Sequence, residues 1–141
     1  MSRTNLTDAD LQALAEFRYR IRRFLRFSEE AAREAGLEPQ QHQLLLAAAG
    51  TTNGPATVGE LAERLQLRPH SVDELITRAE ANGLVSRHRS DDDRRFVLVE
   101  PTAKGRRMLD RLSGAHREEL RQAAAGLIEA LSQVAGELDP A

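Results

Sequence analysis

Residues 57–99 decide the fold, and they read TVGELAERLQLRPHSVDELITRAEANGLVSRHRSDDDRRFVLV. The stretch opens with Thr57 and Glu60 in a capping box, in which the hydroxyl accepts from a backbone N–H and the carboxylate reaches back. A short helix over about 58–66 is therefore predicted. The apolar residues at helical spacing on one face of it are Leu61, Ala62 and Leu65.

A second helix follows after a tight turn at Leu67 and Arg68. Pro69 suits the first position of a helix, where its missing N–H is not needed, and Gly83 is typical just past a helix end. The pattern predicts a helix from Pro69 to about Asn82. Its apolar side consists of Val72, Leu75, Ile76 and Ala79. Two short helices joined in this way form a helix-turn-helix, whose second helix commonly lies in the major groove of DNA.

Beyond Gly83 the pattern changes to two strand-like runs, Leu84–Arg89 and Phe96–Val99, around the polar tip Ser90–Arg94. A hairpin in this position is a wing. The expected fold is therefore mainly α with a small β-hairpin wing, a winged helix-turn-helix. This order of elements is typical of DNA-binding proteins.

The side of the second helix opposite its apolar face carries polar residues that could meet base edges or phosphates. The candidate DNA-contacting residues are Arg68, His70, Ser71, Asp73, Glu74, Thr77 and Arg78. The first three lie at the helix N-terminus, where recognition helices usually make their contacts. The two carboxylates are repelled by phosphate, so they either accept from a cytosine amino group or orient Arg78. The alternative is an ordinary solvated helix face.

The wing tip places Asp93 beside Arg94 and Arg95. An arginine on a wing can enter the narrow, electronegative minor groove. A neighbouring carboxylate could fix its rotamer beforehand and so reduce the entropy cost of binding. The alternatives are a charged, solvated turn and, more remotely, a cation site with oxygen ligands.

The flanking segments are helical. Thr7, followed by acidic residues, predicts a helix start, and no breaker follows until Gly36, about 28 residues later. The apolar stripe of this helix is too long for one small domain to cover, so we expect part of it to contact another subunit. Pro39 to Ala49 forms a further helix. Thr102 caps a C-terminal segment that we expect to form two helices, with glycines as kinks.

The first helix also supplies candidates for a small-molecule site between that helix and the DNA-binding region. These ligand-binding candidates are Phe17, Arg18, Tyr19, Ile21 and His42. Arg18, Arg22 and Arg26 share one face of the helix, and one of them could reach an anionic ligand or a DNA phosphate. The alternatives are a solvated arginine face paired with nearby glutamates and a satisfied core or surface histidine.

The composition limits the function classes. The chain has 141 residues, a net charge of −2 and no cysteine, which excludes disulfides, thiolate metal sites and a thiol switch. We expect a soluble, cytoplasmic protein, because there is neither a membrane-length apolar run nor a signal-peptide pattern. No catalytic motif and no metal-binding histidine spacing is present, so we expect no enzyme, no cofactor and no metal site.

Four runs together resemble the MarR (multiple antibiotic resistance regulator) family of transcriptional regulators. They are Glu60–Leu65, Glu80–Val85, Asp93–Arg95 and Thr102–Gly105. The resemblance covers nearly the whole chain. It implies a homodimer with interleaved N- and C-terminal helices, and a wing motif, Asp-x-Arg, in which Arg95 is the minor-groove residue. Many members of the family are repressors released by small, often aromatic, anions.

Three features depart from the family pattern. Asp73 and Glu74 stand where relatives often have a hydroxyl residue and an arginine, so the operator sequence cannot be transferred from them. The lack of cysteine excludes the peroxide-sensing branch. Pro101 replaces a common leucine before Thr102, which looks structurally harmless.

We therefore expect a single domain over residues 1–141, with dimerisation helices at 7–35 and 102–138 and a DNA-binding region at 39–100. The expected function is a homodimeric repressor of a pseudo-palindromic operator, relieved by a small anionic ligand. Its partners are double-stranded DNA, a second copy of the chain and a small effector. The alternative, which the net charge of −2 favours, is a winged-helix module that binds proteins without specific DNA binding.

Overall fold

The computed structural model describes residues 6–136. These residues form two compact units. The terminal unit combines the segment that ends at Glu29 with the segment that begins at Ala115, and the central unit is Glu30–Gly114. Residues 137 and 138, the end of the expected C-terminal dimerisation segment, lie outside the described range.

The described chain contains five helices and three strands. In chain order they are α1 (Asp8–Glu34), α2 (Pro39–Ala49), β1 (Ala56–Thr57), α3 (Val58–Leu65), α4 (Pro69–Ala81), β2 (Val85–Arg89), β3 (Val97–Pro101) and α5 (Ala103–Ala135). The predicted winged helix-turn-helix is confirmed as α3, α4 and the β2–β3 hairpin.

The helix starts predicted from the capping residues Thr7 and Thr57 are confirmed. At α1, the Thr7 hydroxyl accepts from the Asp10 N–H at 3.1 Å, and the Asp10 carboxylate accepts from the Thr7 N–H at 2.9 Å. At α3, the Thr57 hydroxyl accepts from the Glu60 N–H at 3.1 Å. The Glu60 carboxylate lies 3.2 Å from that same hydroxyl and accepts from it. Both boxes satisfy N–H groups that a helix start leaves without a partner.

The core of the central unit is aliphatic. Its largest fully buried apolar residues are Leu44, Leu45, Leu61, Leu75, Ile76, Leu84, Val72, Val85 and Val99. The predicted apolar sides of α3 and α4 lie in this core, except that Leu65 is only partly buried. The core fixes α4 by one face and leaves the opposite face exposed.

The wing belongs to a three-stranded antiparallel sheet of order β1-β3-β2. Ala56 pairs with Val99, and Arg87 pairs with Val99 from the other side. The turn signal Asn53-Gly54-Pro55 predicts a loop over residues 51–56, and the structure corrects this at its end, where Ala56 begins the short strand β1. Two residues give too little alternation for a strand to be recognised in sequence.

The expectation of two C-terminal helices was wrong, because α5 is continuous over 33 residues. A glycine inside a helix costs about 1 kcal/mol relative to alanine, which weakens a helix without ending it. An added Cβ at Gly126 would overlap the guanidinium of Arg20 in the same unit, which is the movable end of a flexible side chain.

In the terminal unit, His116 of α5 lies among residues of α1. Its Nε2 is 2.7 Å from the Ser28 hydroxyl, and its ring meets Phe24 and Phe27 edge-on. Among residues 6–136, no helix is both long and apolar enough to cross a membrane.

Candidate nucleic-acid interface

Helix α4 and its N-cap expose all the residues that we assigned to DNA contact in this part of the chain. Its buried residues are Val72, Leu75, Ile76 and Ala79. The exposed set contains Arg68, His70, Ser71, Asp73, Glu74, Thr77 and Arg78. The structure thus brings these residues to one surface.

The turn before α4 fixes where that surface begins. Gln66 adopts a left-handed conformation with φ 53°, and the Leu67 N–H donates to the Ala62 carbonyl at 3.0 Å. These bonds end α3 in a tight Schellman-type turn. Arg68 is the N-cap of α4 and Pro69 is its first residue. The exposed N-terminus of α4 therefore carries backbone N–H groups and the positive end of the helix dipole, a combination that favours phosphate.

The charged residues of α4 have partners different from those that we considered. Arg78 lies 3.5 Å from Glu38, and His70 lies 3.2 Å from Glu74 one turn later. The suggestion that Asp73 or Glu74 orients Arg78 was therefore wrong, because Arg78 reaches the residue before α2. Both pairs are exposed, so they contribute little to the free energy of unfolding.

Asp73 is instead paired with Arg87 on β2. Arg87 Nη1 donates to Asp73 Oδ1 at 2.8 Å, and Nε donates to Glu80 Oε1 at 3.2 Å. Its Nη2 donates to the Thr77 hydroxyl, and its backbone N–H donates to Glu80 Oε2 at 3.3 Å. Arg87 was not among the residues predicted to form the interface. A signal was present, because strand alternation puts Arg87 on the same side as the buried Val85.

The wing tip holds its arginine with a carboxylate. Arg95 Nη2 donates to Asp93 Oδ2 at 2.7 Å, and Nε donates to Oδ1 at 3.0 Å. The Arg95 N–H also donates to Oδ1 at 3.1 Å. The Arg95 side chain remains 85% exposed. A neighbouring carboxylate thus does hold a wing arginine, as the sequence suggested, and the pair consists of Asp93 and Arg95.

The pair also shifts both pKa values. The Arg95 side chain, and then its backbone N–H, hold the pKa of the Asp93 carboxyl below its usual value. In return, the carboxylate raises the pKa of Arg95. Both groups are therefore charged at neutral pH.

Backbone bonds frame the rest of the tip. The Ser90 N–H donates to the Phe96 carbonyl, and the Phe96 N–H donates to the Asp93 carbonyl, each at 3.0 Å. Arg89 Nη1 donates to the carbonyl of Arg94 at 2.8 Å, while the Arg94 side chain is exposed. The tip is thus a defined turn that presents Arg94 and Arg95 outward.

The C-terminal end of α4 is tied to the start of α5. Gly83 has φ 72°, and Lys104 Nζ donates to the Asn82 carbonyl at 2.9 Å. The Thr102 hydroxyl donates to the Gly83 carbonyl at 2.6 Å. A Cβ at Gly105 would overlap the Leu84 carbonyl oxygen. These contacts fix the C-terminal end of α4 against the start of α5.

The ligand-binding candidates divide between the two units. Phe17, Arg18, Tyr19 and Ile21 belong to the terminal unit, whereas His42 belongs to the central unit and is buried. Tyr19 is exposed, with the Arg23 guanidinium 5.7 Å from its ring centre.

The terminal unit contains a cleft of about 220 Å³. Its lining residues are Arg20, Arg23, Phe24, Glu119, Gln122 and Ala123. None of the ligand-binding candidates lines it. A larger cleft of about 930 Å³ in the central unit lies between the end of α2 and α3.

Arginines and carboxylates are equal in number in the segment that forms this interface. Residues 68–95 carry six arginines and six carboxylates. Asp73 and Glu80 are paired with Arg87, and the wing carboxylate is paired with its own arginine. The net charge of −2 therefore does not describe the charge that this surface presents.

Known proteins are similar to the region that contains this interface. A family model described as the MarR family matches residues 35–95. The HTH-type transcriptional regulator YcgE of Bacillus subtilis (strain 168) is 33% identical over 102 residues, which is 71% of this chain. The matched part spans 64% of YcgE, just under two thirds of its length.

Solved structures show the same fold along nearly the whole chain. AbsC, a MarR family transcriptional regulator from Streptomyces coelicolor, superposes with a TM-score of 0.76 at 19% identity and covers 95% of this chain and 94% of its own. A MepR mutant from S. aureus bound to an oligodeoxyribonucleotide superposes with a TM-score of 0.64 at 18% identity, covering 92% of this chain and 99% of its own. The helix-turn-helix and the wing tip thus lie within the residues that match the MarR family model, and the chain shares the winged helix-turn-helix fold of solved MarR family structures.

Proposed function

We propose that this protein is a homodimeric DNA-binding regulator that represses transcription from a pseudo-palindromic operator. One observation carries the proposal: an exposed recognition helix is combined with a wing arginine already aligned by a carboxylate. A solvated turn has no need of such an alignment, whereas insertion into a groove benefits from it.

Each protomer would use two elements on DNA. The N-terminal part of α4, with Arg68, His70 and Ser71 exposed, would enter the major groove. Arg95, supported by Asp93, would enter the adjacent minor groove, where a narrow groove attracts arginine. The MepR mutant, which shares this fold, has been observed with an oligodeoxyribonucleotide, and this supports the same use here.

The terminal unit would form the dimer. Several large apolar side chains of α1 and α5 are exposed, namely Leu11, Leu14, Leu25, Leu120, Ile128, Leu131 and Val134. Apolar residues concentrated on two helices in this way mark an association surface. A two-fold dimer would place its two recognition helices about one helical turn of DNA apart, roughly 10 base pairs.

Repression and its relief by a ligand complete the proposal. A dimer bound across a promoter excludes RNA polymerase from the same DNA. The cleft in the terminal unit places the side chains of Arg20 and Arg23 beside Phe24, which suits a small aromatic anion. A regulator of this kind acts on the chromosome, so the proposal locates the protein in the cytoplasm.

Selection from a library of random DNA duplexes tests the proposal without a known operator. The purified protein should enrich one pseudo-palindrome with half-sites roughly 10 base pairs apart. Enrichment of no sequence, or retention that is insensitive to salt, would favour the alternative function, a winged helix that binds only proteins.

A further inference from the structure

Arg87 forms hydrogen bonds to several side chains of the proposed recognition helix. It lies on β2, its side chain is 25% exposed, and it donates to three side chains of α4. These three residues are Asp73, Thr77 and Glu80. They stand at positions i, i+4 and i+7, so they form one stripe along the helix.

The stripe presents a difficulty for DNA binding. Asp73 and Thr77 are on the face that we assign to the major groove, and Glu80 continues the same stripe. The carboxylates of Asp73 and Glu80 would repel phosphates. Arg87 places a full positive charge against both carboxylates. Their hydrogen bonds to its guanidinium also fix where their oxygens point.

We propose that Arg87 is a positioning residue for DNA binding, which neutralises Asp73 and Glu80 and locks α4 to the wing strand. The inference rests on the proposed function and deepens it. Asp73 then acts as a counter-charge and does not read a base. The residues of α4 that discriminate between bases are then those at its N-terminus, above all His70 and Ser71.

The test compares DNA affinities of four variants with that of the wild type on the selected duplex over a salt series. Arg87→Gln removes the positive charge beside the carboxylates of Asp73 and Glu80. Asp73→Asn/Arg87→Gln also removes the negative charge of Asp73. Asp73→Asn alone leaves Arg87 in place. Arg106→Gln is the matched control, because it removes the same charge from an arginine that forms an ion pair with Asp110 on its own helix.

We expect Arg87→Gln to weaken binding roughly tenfold or more at low salt, with a smaller loss at high salt, because screening relieves repulsion. Asp73→Asn/Arg87→Gln should recover most of the lost affinity. Arg106→Gln should bind within about threefold of the wild-type affinity. Asp73→Asn should bind as tightly as the wild type or more tightly. A purely structural role would give a loss that is independent of salt and not rescued.

Three results would overturn the inference. The first is an unchanged DNA affinity of Arg87→Gln. The second is a loss of affinity that Asp73→Asn/Arg87→Gln does not recover and that comes with a salt slope lower by about one, as for a direct phosphate contact. The third is weaker binding by Asp73→Asn itself, which remains decisive even if Arg87→Gln does not fold. Failure of the wild type to bind any duplex would instead count against the proposed function.

Discussion

At the wing tip, the position of a single guanidinium is set by the protein alone. Both oxygens of Asp93 accept from Arg95, yet 85% of the arginine side chain faces solvent. An exposed ion pair of this kind contributes little to folding stability. Its value is that a long, flexible side chain is already ordered in the direction that a groove would require.

Replacing Arg95 should weaken DNA binding at every sequence. We expect Arg95→Ala to lower affinity roughly tenfold or more and to lower the salt slope by about one, because a minor-groove arginine contributes charge more than base discrimination. Fluorescence anisotropy with several duplexes measures this. Arg121→Ala, on α5, is the control, and equal affinity of Arg95→Ala and wild type would remove the wing from the interface.

The same pair predicts a pH dependence. Because the pKa of Asp93 is lowered in the folded protein, the contribution of the pair is complete above the ordinary carboxyl value of about 3.9. It is lost only as the pH falls through the lowered pKa. DNA affinity between pH 5 and 8 should therefore not depend on this carboxyl group.

An NMR titration of the Asp93 carboxyl carbon checks the shift. Its midpoint should lie below about 3.9 in the wild type and return towards that value in Arg95→Ala. A wild-type midpoint at or above the ordinary value would contradict the pairing.

The residues of the interface were only partly predictable. Capping and exposure follow from local sequence, so the places of Thr57, His70 and Arg95 could be predicted from the amino-acid pattern alone. Arg87 could not be ranked above its neighbours, because its role depends on how β2 crosses α4, which is a tertiary relation. Arg78 was misjudged for the same reason, since Glu38 is distant in sequence.

Among the elements, α5 shows how two glycines of one helix can differ. At Gly105, an added Cβ would overlap the Leu84 carbonyl and lie 2.9 Å from Leu45 Cδ2. At Gly114, nothing lies within 4 Å of an added Cβ. The first glycine allows α5 to approach the end of α4, and the second has no steric reason to be glycine.

Alanine substitutions at these two sites should therefore have opposite effects. Gly114→Ala should raise the free energy of unfolding by roughly 0.5–1 kcal/mol, because alanine favours a continuous helix. Gly105→Ala should lower it by about 2 kcal/mol or more through overpacking. Thermal unfolding followed by circular dichroism measures both, and a destabilised Gly114→Ala would mean that α5 needs a kink there.

Elements with strong local signals were predictable, and those with weak signals were not. Helices α2 and α4 begin with proline and end within two residues of a glycine, and their bounds were predicted to within one residue. Strand β1 is only two residues long and gains its order by pairing with β3. The continuity of α5 was not predicted, because a glycine lowers the helix propensity of a segment without determining where the helix ends.

At the scale of the whole molecule, apolar surface is left exposed on the terminal unit. Ile128 of α5 is 63% exposed and Leu11 of α1 is 51% exposed. Water-exposed residues of this size, repeated along two helices, are costly in a monomer and favourable when a second copy covers them. The proposed dimer gives this surface a partner.

A charge placed in this surface should dissociate the dimer. We expect Ile128→Glu to elute as a monomer at micromolar concentration, because a carboxylate would be buried without a partner. Size-exclusion chromatography with light scattering measures the mass. Gln133→Glu adds the same charge to α5 at an exposed polar site and should remain dimeric, whereas a dimeric Ile128→Glu would place the interface elsewhere.

The most direct measurement is the affinity of the purified protein for its selected duplex and for a scrambled duplex across a salt series. We predict that the protein binds the selected duplex at least about a thousandfold more tightly than the scrambled duplex. We also predict that this affinity falls steeply as the salt concentration rises. Equal affinity for both duplexes, or affinity that salt does not change, would contradict sequence-specific DNA binding.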